Sequence, residues 1–166
     1  MPRFRPRRPA LAAAGTLTAL LTALAGTGPV QAAPTTAAPT GQLSAAPAAP
    51  SLQERAAALA AGSPTVSPAA PFGHVPADSD YQCAAGTLCT LVWDPTAGDY
   101  KIFYLTACAR YSLDGWSGQG FYADNRTPGT RSVFYGANGR VLKSFTPDGG
   151  ANHQQDWTPV RAIRTC

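Results

Sequence analysis

The stretch Cys83-Ala-Ala-Gly-Thr-Leu-Cys89-Thr-Leu-Val-Trp93 opens a segment that holds all four cysteines of the 166-residue chain, with Cys108 in its interior and Cys166 at its last position. Four cysteines gathered in one stretch behind an export-type leader read as a disulfide framework in an oxidising compartment. Pairing Cys83 with Cys89 closes a short loop that contains Gly86, and pairing Cys108 with Cys166 ties the last expected strand to the end of the second. The rival, Cys89 with Cys108 and Cys83 with Cys166, stays open because Cys89 and Cys108 flank an expected hairpin. No metal site is expected, since the spacing is not Cys-x-x-Cys and neither His74 nor His153 lies beside a cysteine pair.

Working outward, the segment from Tyr81 to Cys166 carries thirteen of the fifteen aromatic residues and no Glu, a composition that suits strands and turns. Short β-branched or aromatic runs at Leu88 to Trp93, Tyr100 to Leu105, Arg131 to Tyr135, Val141 to Phe145 and Val160 to Arg164 alternate with Gly, Pro, Asn and Asp clusters; they predict strands. Arg110 to Leu113 and Gln119 to Tyr122 are expected as edge strands. Ala137-Asn138-Gly139 predicts a tight hairpin turn, because Asn-Gly supplies the positive φ angles that a primed turn needs. The fold class is therefore all-β, a small disulfide-bonded sandwich. Val92-Trp93 to Phe103 also resembles Phe134-Tyr135 to Phe145, each with an aromatic ending one strand, a turn glycine (Gly98, Gly139) and an aromatic closing the return. Two such units point to a doubled Greek key.

Ahead of this domain, residues 1–32 read as a secretory signal peptide. Arg3, Arg5, Arg7 and Arg8 precede an apolar run from Ala10 to Ala25 that is short for a membrane span, and Val30-Gln31-Ala32 offers a cleavage site. No membrane anchor is expected, and the protein is expected to be secreted. Residues 33–80 alternate Pro with Ala, Thr and Ser and are expected to form a disordered spacer. Within it, Ser51-Leu-Gln-Glu54 is a capping-box pattern that predicts a short helix over 52–61. Four of the 13 basic residues lie in the leader, leaving nine against nine acids. The remaining chain is close to neutral and carries no footprint for nucleic acid.

Catalysis is not expected, and neither is a cofactor. His153 and Asp156 sit in Asn152-His153-Gln154-Gln155-Asp156, which reads as one polar loop after Thr146-Pro-Asp-Gly-Gly150, with no nucleophile elbow or paired carboxylates nearby. Asn125-Arg126-Thr127 matches a glycosylation sequon and is read as an unmodified turn. The candidate binding loop is Gly115-Trp116-Ser117-Gly118, with Tyr122 beyond it. A glycine-rich loop that holds Trp116 exposed would offer an anchor for a partner's pocket or a sugar; the competing reading is that Trp116 plugs one end of the core. Trp93 and Trp157 are read as core.

The Cys83 to Cys89 pattern, followed by Leu91-Val-Trp93, a glycine-containing turn and an aromatic returning strand, resembles the small secreted metalloproteinase-inhibitor family of actinomycetes. The resemblance covers about Gln82 to Cys166. It implies two Greek keys in a βγ-crystallin-like sandwich and inhibition of an extracellular metalloproteinase; the Ala/Pro/Arg-rich leader fits a GC-rich bacterial genome. Pro128-Gly129 follows Asp124-Asn125-Arg126-Thr127 where a crystallin-type calcium site needs a hydroxyl pair, so calcium is not expected. The inhibitory loop is expected at Asp94 to Asp99 or at Gly115 to Gly120. The expected function is thus that of a monomeric secreted binding protein whose partner is an extracellular protease. The alternatives are a module that binds cell-wall polysaccharide through Trp116 and Tyr122, and a toxin-like or structural protein.

Overall fold

The computed structural model describes residues 41–166; the leader and spacer residues 33–40 lie outside the described residues. In chain order the elements are β1 (Gln42–Ala45), α1 (Leu52–Leu59), β2 (Thr65–Ser67), β3 (Phe72–Val75), β4 (Asp80–Cys83), β5 (Thr87–Asp94) and β6 (Asp99–Leu105). They continue as β7 (Arg110–Asp114), β8 (Gln119–Asn125), β9 (Ser132–Tyr135), β10 (Val141–Phe145), β11 (Asn152–Asp156) and β12 (Ala162–Arg164). Two five-stranded sheets, ordered β11-β8-β5-β6-β3 and β10-β9-β12-β7-β2, make an all-β sandwich, and β1 with β4 forms a separate ribbon.

Strands β5 to β12 fall into two units of four with the same path. In the first, β5 and β6 form a hairpin, β7 crosses to the opposite sheet, and β8 returns beside β5. In the second, β9 and β10 form the hairpin, β11 crosses to the first sheet, and β12 returns beside β9. The two stretches that resemble each other in sequence are the two hairpins. At the second of these turns Asn138 and Gly139 have φ of 57° and 73°, the left-handed pair that the Asn-Gly dipeptide was expected to supply.

Cys83 is bonded to Cys89 and Cys108 to Cys166, with Cα separations of 5.8 and 5.2 Å. The first bridge joins β4 to β5; the second fastens the chain end to the β6–β7 connection. Such bridges fit an oxidising compartment.

Three expectations are corrected. Arg110 to Leu113 and Gln119 to Tyr122 are not edges: β7 lies between β12 and β2, and β8 between β11 and β5. Asn152 to Asp156 is not a loop but strand β11, paired residue by residue with Gln119 to Ala123. Its polar side chains suit an edge strand with one face in water.

The disordered-spacer expectation for 33–80 does not describe residues 42–80, which form a strap of structured pieces. Strand β2 extends one sheet beside β7, and β3 extends the other beside β6. Both are outermost strands, and Pro64, Pro68, Pro71 and Pro76 bracket them, the placement that proline's missing N–H permits. Helix α1 begins with the expected capping box: Glu54 N donates to Ser51 Oγ (3.3 Å) and Ser51 N donates to Glu54 Oε2 (2.8 Å).

The strap folds because one sheet presents apolar side chains on both faces. Every residue of β5 is buried. Leu88 and Val92 face the other sheet and pack with Phe103, Phe134, Trp157 and Ile163. Cys89, Leu91 and Trp93 face outward with Tyr100 and Ile102, and the strap's Ala46, Ala58 and Val75 close over them together with Tyr81 of β4. Removing that outer layer from water is what a Pro/Ala-rich segment gains in exchange for its lost conformational freedom.

Candidate functional site

The expected anchor, Trp116, belongs to the core. It is 5% exposed, its Nε1 donates to Thr65 O of β2 (2.8 Å), and its ring stacks on Phe103 and meets Trp157 edge-on, with centroids 5.2 and 4.9 Å away. Gly115 is left-handed (φ +74°), and a side chain there would press against the Ala61 and Ser63 carbonyls of the strap. Gly118 and Ser117 are half-buried; Gly118 N donates to Thr158 Oγ1 and Gly118 O accepts from Trp157 N. Tyr122 is buried, between His153 and Phe145. The binding-loop reading of Gly115, Trp116, Ser117, Gly118 and Tyr122 is therefore corrected: the strap adds β2 at the place where Trp116 would have met solvent. Trp93 and Trp157 are buried, as expected of core residues.

The other expected loop, Asp94 to Asp99, is exposed and tightly held. Thr96, Ala97 and Gly98 stand in solvent at the tip of the β5–β6 hairpin. Beneath them Asp94 is 1% exposed. Its Oδ1 accepts from Thr96 N (2.9 Å) and Thr96 Oγ1 (2.7 Å), and its Oδ2 accepts from Ser63 Oγ (2.6 Å). Lys101 Nζ and His74 Nε2 lie 3.9 and 3.6 Å from Oδ2, and Gly98 N donates to Asp94 O (2.9 Å). Burial pushes the Asp94 pKa up, but the hydrogen bonds from Ser63 and Thr96, with the Lys101 charge, outweigh it and hold the carboxyl below its ordinary value. Sequence reasoning picked out this turn but missed its anchor. The available signal was Asp94-Pro-Thr96, in which an aspartate caps the backbone two residues on.

The polar sequence after β8 is closed on itself. Arg126 Nε donates to Asp124 Oδ1 (2.9 Å) and Arg126 Nη2 to Asp124 Oδ2 (3.0 Å), with Ser132 Oγ donating to the same Oδ2 (3.1 Å). Both charged residues are buried. The Asp124 carboxylate is thus occupied by a guanidinium and a hydroxyl. Among the described residues, no group of three or more His, Cys, Asp or Glu side chains is placed to hold a metal.

His153 and Asp156 are not brought together. They lie three residues apart on β11 and project to opposite faces; His153 Nε2 meets Asp148 Oδ2 at 2.5 Å, and Asp156 Oδ1 accepts from Thr158 N at 2.9 Å.

One concavity was not legible in the sequence. The strap's Pro47–Ala61 segment and the outward face of the β5-containing sheet enclose an open cleft of ≈ 1000 Å³. Trp93, Tyr100 and Phe121 line it on the sheet side, beside Gln119, Gln154 and Asp156, and Glu54 of α1 lines it from the strap. Tyr100 Oη donates to Ala48 O (2.9 Å) and fastens the strap. Its pKa is pushed up to about 12, first by burial and then by the negative charges of Glu54 and Asp78, which Arg55 partly offsets. Comparison with known proteins finds no matching family model, no matching curated protein and no matching solved structure.

Proposed function

We propose that the protein is a secreted inhibitor-like binding protein that presents the Asp94–Asp99 turn to an extracellular metalloproteinase. The observation that carries this reading is the exposed Thr96-Ala97-Gly98 tip held on a buried Asp94 carboxylate, which accepts hydrogen bonds from both the turn and the strap. A loop fixed in this way loses little entropy on binding and resists being cut as a substrate. The crystallin-like doubled Greek key belongs to the same proposal. Its support is the repeated path in which each unit's third strand crosses to the opposite sheet and the fourth returns beside the first. Two disulfides and a leader of signal-peptide pattern support export.

The wall-binding alternative relied on exposed Trp116 and Tyr122, both of which are buried, so no specific observation favours it. The test is titration of a thermolysin-type metalloproteinase with the purified protein, a serine protease serving as the control class. Stoichiometric loss of metalloproteinase activity is expected; full activity at a large excess of the protein contradicts the proposal.

A further inference from the structure

The cleft between the strap and the sheet combines three properties. It is roomy, at ≈ 1000 Å³ the upper end of the range for small-molecule sites. Among the described residues, its charged lining residues are the carboxylates Glu54 and Asp156, on opposite walls. Trp93, 4% exposed, forms part of its lining, and the Trp93 indole Nε1 is buried with no acceptor among the described residues.

We infer that the cleft is a peptide-binding site whose ligand is an extended segment carrying a lysine or arginine side chain. Each part of that ligand has a counterpart. A basic side chain has an apolar stem that lies along aromatic surface and a cationic head that stays near carboxylates. Trp93, Tyr100 and Phe121 supply the first, Glu54 and Asp156 the second. The side-chain amides of Gln119 and Gln154 offer both donors and acceptors to a peptide backbone.

The guanidinium of Arg55 does not take the ligand's place. Its Nε donates to Pro50 O (2.7 Å) and it lies over the Trp93 ring, 5.2 Å from the centroid, outside the cleft lining. The charged residues that line the cleft among the described residues, Glu54 and Asp156, are both acidic. A neutral sugar would leave the two carboxylates without a counter-charge, and an anionic ligand would be repelled by both.

The experiment is calorimetric titration of the purified protein with three blocked pentapeptides, Ala-Ala-Lys-Ala-Ala and its Gln- and Glu-centred counterparts, with an indole-proton NMR spectrum recorded for each. The Lys peptide should bind tightest, the Gln peptide more weakly, the Glu peptide not measurably, and the Trp93 indole resonance should move with the Lys peptide. Glu54→Gln and Asp156→Asn should each weaken the Lys peptide by about 1.5-fold to fivefold, the range for a solvent-accessible ion pair. Both keep the local hydrogen bonds, since glutamine serves a capping box and asparagine can still accept from Thr158 N, so a loss reports on charge. Equal affinity for the three peptides, no binding of the Lys peptide, or binding that leaves the Trp93 resonance unmoved would each overturn the inference.

Discussion

Ser63, in the Pro/Ala-rich strap, donates a 2.6 Å hydrogen bond to the carboxylate of Asp94, which is buried at the base of the β5–β6 turn 31 residues away. The same carboxylate accepts from Thr96 inside the turn. One buried acid therefore couples the strap to the exposed tip, and the rigidity of that tip depends on the strap's being in place.

Acid should weaken this coupling. The folded-state pKa of Asp94 is depressed, so its contribution to stability is complete above the unfolded carboxylate value of about 3.9 and is lost as pH falls through the lower folded value. Urea denaturation at a series of pH values should show stability falling from about pH 5 downward. In Asp94→Asn that acid-dependent loss should be smaller. An unchanged pH slope in the variant would remove Asp94 from the account.

Trp116→Ala should destabilise the protein by about 3 to 5 kcal/mol, the cost of emptying a large aromatic site in a core, because the ring packs between Phe103 and Trp157 and anchors β2 through Thr65 O. Thermal melts measure it. A change below about 1 kcal/mol, within the range for surface substitutions, would mean that the loop stands free of the core.

The two disulfides should differ in worth. Cys108 and Cys166 are 58 residues apart and Cys83 and Cys89 only 6, so by loop-closure entropy the longer bridge stabilises by about 4 kcal/mol and the shorter by about 2. Paired Cys→Ser variants compared by denaturant unfolding give the order. Peptide mapping should return the same two pairs, and a Cys89–Cys108 peptide would contradict the fold.

A chain begun at Tyr81 should not behave as a monomeric domain. It lacks β1 to β3 and α1, and leaves Leu91, Trp93, Tyr100 and Ile102 without their cover. Bound hydrophobic dye and self-association in the ultracentrifuge are expected. A monomeric truncated chain with an unchanged melting temperature would show that the strap is dispensable.

The fates of particular residues show how far the sequence could be read. The hairpins were legible because Asn138-Gly139 and the aromatic runs act locally, and of the two cysteine pairings left open the one that closes the short Cys83–Cys89 loop is found. The strap was not, because its composition is that of a disordered linker and its order is supplied by another segment. The warning lay in Leu88 to Trp93, where six consecutive residues offer no polar face. A strand covered on one side alternates, whereas this one is buried on both and needs a second layer. Missing that layer also left Trp116 divided between loop anchor and core plug, because Thr65, whose carbonyl holds its indole N–H, was read as part of the spacer. Strand β11 escaped notice because polar residues at a sheet edge carry almost no strand signal.

The measurement that bears most directly on the proposed function is the titration of a thermolysin-type metalloproteinase with the protein and with Ala97→Asp. Ala97 is exposed at the turn's tip and away from the Asp94 bonds, so the substitution leaves the fold's melting temperature in place. The account predicts an equimolar end point for the protein and at least about a tenfold loss of affinity for the variant, as befits a residue at the centre of an interface. Equal inhibition by both, or by neither, would contradict the claim that the Asp94–Asp99 turn is the inhibitory loop.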